Sequence, residues 1–384
     1  MRRVYVAGVG LTRVGRHFDK GLLELAAEAA FKAIDEVQLK PEAVIVANML
    51  SSTLQEQDNL GSYIAGGLGL SGTQAFKVEA GDGSGGAALL AAYSLIASGT
   101  VSSVLVVGVE KMTDYPTSTV YKASSQVLDA EYELYYGATM ASLHAMMMRR
   151  YMEKYEVPRD LVSEWPVLMH ENGAQNPFAQ IRRRISKDDV ARSQIISDPI
   201  TLMDSSPLGD GAAALLLVSD DEASRVQSKP PVELVGVVSA SDNVEFTARS
   251  ELASIPAARE AAKKLQERFG VKAGEVDVVE LHDSYTIAGL LLLEELGIAD
   301  RGTAPRLLSE GRFRAGDRPA INLSGGLKSR GHPLGATGVY QAAEVVMQLR
   351  GDFPGLRQEG AETGIAVSMS GVGAFVSVAL FRRV

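Results

Sequence analysis

A chain of 384 residues, 46% hydrophobic and 22% charged, has the composition of a globular protein and enough apolar material for two domain-sized cores. Its net charge of −9 argues against nucleic acid as a partner, because phosphate backbones need clustered Lys and Arg. The absence of cysteine excludes disulfides, cysteinyl zinc sites and thiolate nucleophiles.

The chain opens on Arg2-Arg3 and a short apolar run, Val4–Val9, which reads as a buried strand rather than a secretory signal. No run approaches the roughly 18–20 apolar residues that cross a bilayer. The expectation is a cytoplasmic protein with no membrane partner. Leu22–Val37 follows with Leu22, Leu25, Ala26, Ala29, Ala30, Ala33 and Ile34 on one helical face, then a second apolar run, Val44–Leu50. Gly81-Asp82-Gly83-Ser84-Gly85-Gly86 leads into a small-residue helix, Ala87–Ala97, and the strand Val104–Val109. Residues from about 113 to 200 carry most of the Tyr and Met and read as an inserted helical segment, with a helix at Ala141–Tyr155. The chain returns through Asp210-Gly211-Ala212-Ala213 to the strand Leu215–Val218, and the polar stretch Asp220–Pro230 reads as a linker.

The order then repeats. Val232–Val238 is followed by a helix that starts on Pro256 and runs to Phe269, and by Val276–Leu281. Gly331-His332-Pro333-Leu334-Gly335-Ala336-Thr337-Gly338 leads into Val339–Leu349 and the strand Ile365–Met369. Bare Val and Ile runs between helices read as parallel strands buried on both faces. The expectation is an α/β protein of two pseudo-repeated halves, 1–220 and 231–384. Each half places a glycine-rich turn at a helix N-terminus, where free N–H groups and the dipole face a ligand.

Taken in order, six blocks resemble the thiolase superfamily along nearly the whole chain. They are Val78-Glu79-Ala80 with Ser84-Gly85-Gly86-Ala87, Gly108-Val109-Glu110-Lys111-Met112, Asp210-Gly211-Ala212-Ala213, Glu280-Leu281-His282-Asp283, Ser324-Gly325-Gly326-Leu327-Lys328, and Gly331 to Gly338. The sequence looks closest to the sterol-carrier-protein-type and archaeal acetoacetyl-CoA branch. That resemblance implies a five-layered αβαβα fold, a homodimer or tetramer, no tightly bound cofactor, and coenzyme A or acyl-CoA as substrate. It also implies that His332 activates the nucleophile and that His282 contacts the thioester oxygen.

The departures lie at the sulfur positions. Asp82 stands where the family has its nucleophilic cysteine, and Ser284 where this branch has its acid/base cysteine. The C-terminal loop Val367 to Gly373, with Gly371 and Gly373, offers no thiol either. A carboxylate attacking a thioester would form a mixed anhydride, uphill from the thioester. The plain reading of Asp82 is therefore a helix N-cap or a charged site residue without covalent chemistry. Tyr285, where Phe is usual in the family, reads as a core aromatic that adds a phenol to the site. Arg182, Arg183 and Arg184 suit CoA phosphates as readily as a solvated face, with Lys328 and Arg330 as a second basic option. His17, His144 and His170 have no motif around them, and no metal-ligand spacing occurs. Three functions remain open: acyltransfer as the family implies, C–C chemistry on a CoA ester without an acyl-enzyme, or a non-catalytic CoA-binding or scaffold subunit of a hydroxymethylglutaryl-CoA synthase-type complex. Cysteine-free aldolases of the superfamily work with a small OB-fold partner, so an OB-fold/zinc-ribbon protein is a candidate partner.

Overall fold

The computed structural model describes residues 2–226 and 229–384. Gln227 and Ser228 of the expected linker lie outside the described residues, and the linker begins as a short helix, Asp220–Ala223. The first half contributes β1 (Val4–Leu11), β2 (Ala43–Ala47), β3 (Gln74–Val78) and β4 (Ser103–Glu110). A separate ribbon, β5 (Ile195–Ser197) with β6 (Ile200–Thr201), precedes β7 (Gly211–Ser219). The second half contributes β8 (Val232–Ser241), β9 (Val278–Glu280), β10 (Ala320–Ile321), β11 (Thr363–Ser370) and β12 (Phe375–Arg383).

Among the described residues, all strands but β5 and β6 form one mixed sheet whose two halves have the same order. The first reads β3-β2-β4-β7-β1 and the second β10-β9-β11-β12-β8. A short antiparallel pairing of Tyr5 and Val6 with Glu233 and Val232 joins them. The expectation of parallel strands throughout is corrected here. Only β3-β2-β4 and β10-β9-β11 are parallel, and β4-β7, β7-β1, β8-β12 and β11-β12 run antiparallel. A continuous apolar run reports that both faces are covered and says nothing about direction. Strands β3 and β12 had no expectation attached.

Alternation of side chains across β2 and β7 shows how the layers are built. Val44, Val46, Ala212, Ala214, Leu216 and Val218 pack outward beneath the helix Leu22–Asp35. Ala43, Ile45, Ala213, Leu215 and Leu217 face inward, toward the helices Ser84–Ala97 and Thr337–Arg350. On the far side, Ile365, Val367 and Met369 meet the helix Pro256–Phe269 and the inserted segment. The sequence of layers is helix, sheet, central helices, sheet, helix. The two central helices approach closely enough that a Cβ on Gly85 would lie 2.7 Å from the Gly338 Cα and the Val339 amide. Only glycine permits that contact, and it sets the distance between the two helix starts. The inserted segment carries the helix Met140–Tyr155, which begins on a capping box between Thr139 and Ser142.

Candidate functional site

Asp82 lies in the turn that enters the helix Ser84–Ala97 and is 3% exposed. Gly81 precedes it with φ +58°, and a Cβ there would strike Ser370 Oγ at 2.4 Å, so the turn requires glycine. Asp82 does not cap its own helix: the N-cap is Gly83, with no side-chain bond. Its carboxylate reaches instead across the pseudo-twofold to the second half. Oδ1 accepts the Gly371 amide at 2.7 Å. Oδ2 lies 3.3 Å from His282 Nε2 and 3.5 Å from His332 Nε2. The two imidazoles meet edge to face with centroids 5.0 Å apart. His332 Nδ1 bonds the Thr337 hydroxyl at 2.7 Å, whereas His282 Nδ1 has no partner among the described residues.

Each loop is held by buried carboxylates. Asp283 accepts from Trp165 Nε1, the Leu327 amide and Asn322, which fixes the loop carrying His282 to the inserted segment. Glu110 accepts the amides of Met49, Leu50 and Gly335 and the Asn48 side chain, which ties the end of β4 to the loop carrying His332. Burial pushes Asp283 and Glu110 each up to about 7 against these donors.

Asp82, Ser284, Tyr285 and His332 line a narrow cleft that opens to solvent, with Met49, Tyr121, Met140 and Leu334 among its walls. Ser284 is buried and its hydroxyl has no partner among the described residues. Burial alone would raise the Asp82 carboxyl, but bonds from His282 and His332 outweigh it and hold the group well below the usual carboxylate range. Burial pushes His332 down to about 4, with the Asp82 bond only partly offsetting this. The result is an ionised Asp82 beside a neutral His332. In the tautomer this network assigns, His332 donates from Nε2 and accepts from Thr337. Such a site presents fixed N–H and O–H donors and a carboxylate to an apolar cavity, and no soft nucleophile.

Comparison with known proteins agrees with this layout. The family described as "Thiolase, N-terminal domain" matches residues 4–221, and "Thiolase C-terminal domain-like" matches residues 238–383. This chain belongs to the thiolase family. It is 38% identical to an acetyl-CoA acetyltransferase of Methanothermobacter thermautotrophicus over 100% of both chains. It is 30% identical to human sterol carrier protein 2, covering 100% of this chain and 72% of that protein. A solved structure titled "Ltp2-ChsH2(DUF35) aldolase" superposes with a TM-score of 0.83 at 24% identity, over 99% of this chain and 98% of that one.

Within the thiolase fold the expected site residues divide. Asp82, His282, His332, Ser284, Tyr285 and Gly371 come together, while Gly373, φ +99°, completes the turn between β11 and β12. Lys328 is not a surface phosphate contact: it is buried and donates to the Ser205 carbonyl at 2.7 Å. Arg330 is equally buried and pairs with Glu344 at 3.1 Å. Arg182, Arg183 and Arg184 are exposed and away from the cavity wall. Tyr285 is a core aromatic, as the sequence suggests, and it also lines the cavity and stacks on His144 with ring centroids 4.2 Å apart. His144, on the inserted helix, was left unassigned by sequence, as were the cavity residues Tyr121 and Met140; no motif surrounds them.

Proposed function

We propose that this thiolase-family chain forms or breaks a carbon–carbon bond next to the carbonyl of a CoA thioester, through an enolate and without an acyl-enzyme. The observation that carries this is the buried Asp82 carboxylate at the nucleophile's position, facing the cavity between two imidazoles. In the condensation direction the bound thioester oxygen draws the imidazole N–H groups away from Asp82 Oδ2, which restores the basicity those bonds suppress, and Oδ2 then takes a proton from the α-carbon. The electron pair moves onto the thioester oxygen, where an imidazole N–H and the unpartnered Ser284 hydroxyl stabilise it. The α-carbon then attacks an aldehyde or ketone. The resulting alkoxide takes a proton from Tyr121 or Tyr285, both in the cavity wall, and the proton on Asp82 passes through water to that phenolate, which restores both groups. Cleavage is the same path reversed. Acetyl-CoA acetyltransferase relatives support a CoA thioester as ligand, with the exposed Arg182 and Arg183 as its phosphate contacts.

The same reading takes 1–220 and 231–384 as the two thiolase halves, with about 113–200 inserted. It also takes the functional unit as a homodimer, supported by the free edge β3, where Phe76 and neighbouring Tyr63 are exposed, with an OB-fold/zinc-ribbon protein as a further partner. The test is exchange of acetyl-CoA α-protons in D₂O, read by mass spectrometry of the ligand and of the intact protein. Exchange that Asp82→Asn abolishes, with no acyl group on the protein, is the expected result. Acyl transfer onto the protein would restore the conventional reaction. Binding without exchange would favour a non-catalytic subunit.

A further inference from the structure

We propose that Asp82, His282 and His332 form a binding site for one divalent first-row metal ion, with its fourth position open to the cavity beside Ser284. The three ligand atoms, Asp82 Oδ2 and the two Nε2 atoms, lie within 4.8 Å of one another. Two of the separations, 3.3 and 3.5 Å, are longer than the ~2.7–2.9 Å of a charge-assisted N–H···O bond. They match the roughly 3.3–3.4 Å edge of a tetrahedron built on metal–ligand bonds of ~2.0–2.1 Å. Closing the Nε2–Nε2 edge to that length asks for at most about 1.4 Å of movement, shared by two rings.

The surroundings are those of a ligand set rather than of a simple hydrogen-bonded pair. Gly371 N–H holds Asp82 Oδ1 and leaves Oδ2 for the ion. The Thr337 hydroxyl sits 2.7 Å from His332 Nδ1; in the ion-free network it donates to Nδ1, and when an ion takes the Nε2 lone pair the imidazole proton moves to Nδ1 and the same hydroxyl accepts it. A second, independent feature is Ser284, 2% exposed, in the cavity wall, its hydroxyl without a partner among the described residues. It lines the same cavity as Asp82 and His332, so a water or thioester oxygen held there has a hydroxyl within the same walls to bond. Two imidazoles, one carboxylate and an open position suit Zn²⁺, Co²⁺ or Fe²⁺ and not the all-oxygen ions. No sequence spacing announces this set, because its members come from three segments 200 and 50 residues apart. The ion and the α-proton are alternative occupants of Oδ2, so metal binding opposes the proton transfer proposed above.

The test uses the full chain, treated with chelator and dialysed against Zn²⁺ or Co²⁺, and does not depend on turnover. The expected results are one equivalent of Zn²⁺ retained by elemental analysis and visible absorption bands of four-coordinate Co²⁺. Asp82→Asn, His282→Ala and His332→Ala should each abolish both. Thr337→Val should weaken binding by about 10–100-fold and Thr337→Ser should restore it; both keep the ligands themselves, so they report on the site even where a ligand variant fails to fold. Failure of the wild type to retain Zn²⁺, or equal affinity in folded ligand variants, overturns the proposal.

Discussion

Replacing Gly85 by alanine tests whether the contact between the two central helices sets the geometry of the site. The new Cβ would meet Gly338 Cα and the Val339 amide at 2.7 Å, about 1 Å inside ordinary carbon contact. Both neighbours are backbone, so no rotamer change relieves the clash and the helices must separate. Overpacking of this kind costs about 1–3 kcal/mol. Alanine in a helix regains roughly 0.5–1 kcal/mol relative to glycine, so a control is needed. Gly66 supplies it: it lies in the helix Leu60–Gly67, and a Cβ there meets nothing within 4 Å. Gly66→Ala should leave stability unchanged or raise it by up to ~1 kcal/mol, while Gly85→Ala should fall below Gly66→Ala by about 1–3 kcal/mol. Urea unfolding at constant m-value measures the difference. Because Asp82 and His332 lie just upstream of the contact on opposite helices, separation by ~1 Å should also cut α-proton exchange by about 10²-fold. Equal unfolding midpoints for the two variants would refute the reasoning, since they would show that the helices are not in limiting contact.

Asp82→Cys should permit an acyl-enzyme that intact-protein mass spectrometry detects after incubation with acetyl-CoA, and wild type should show none. Adding Ser284→Cys should raise thiolysis by a further ~10²–10⁴-fold, the usual range of an acid/base group; wild-type thiolysis at roughly 1–10³ per second would contradict the non-covalent reading. Glu110→Gln turns an acceptor of four bonds into a group that must point N–H at N–H, and should lower unfolding free energy by roughly 2–4 kcal/mol in denaturant titration. Lys328 is depressed by burial from 10.5 to about 8, against the attraction of Asp204 and Asp283. Between those values the unfolded chain holds a proton that the folded chain has released, so this residue makes stability rise with pH across that window, by about 3 kcal/mol in all. Lys328→Met should flatten that rise, and an unchanged slope would show that the ammonium is not desolvated.

Much of this protein follows from local chemistry that a sequence displays. The helix Pro256–Phe269 was legible to the residue because proline starts it and Gly270 in the left-handed region ends it. The glycine turns before the two central helices were legible because each must bring a backbone close to another chain segment. The absence of cysteine determined, without any structure, that the usual covalent chemistry has no thiol nucleophile. Other features were decided only when the chain closed on itself. Strand direction depends on which neighbour pairs with which, and an apolar run is the same in either direction. Lys328 and Arg182 are both basic, and only packing buries one and leaves the other exposed. Asp82 occupies a position that suits an N-cap, but its carboxylate finds Gly371, His282 and His332 instead, because the second half brings an amide and two imidazoles nearer than its own helix offers. No pattern in one stretch of sequence encodes that meeting; it is a product of two halves packed through a glycine contact.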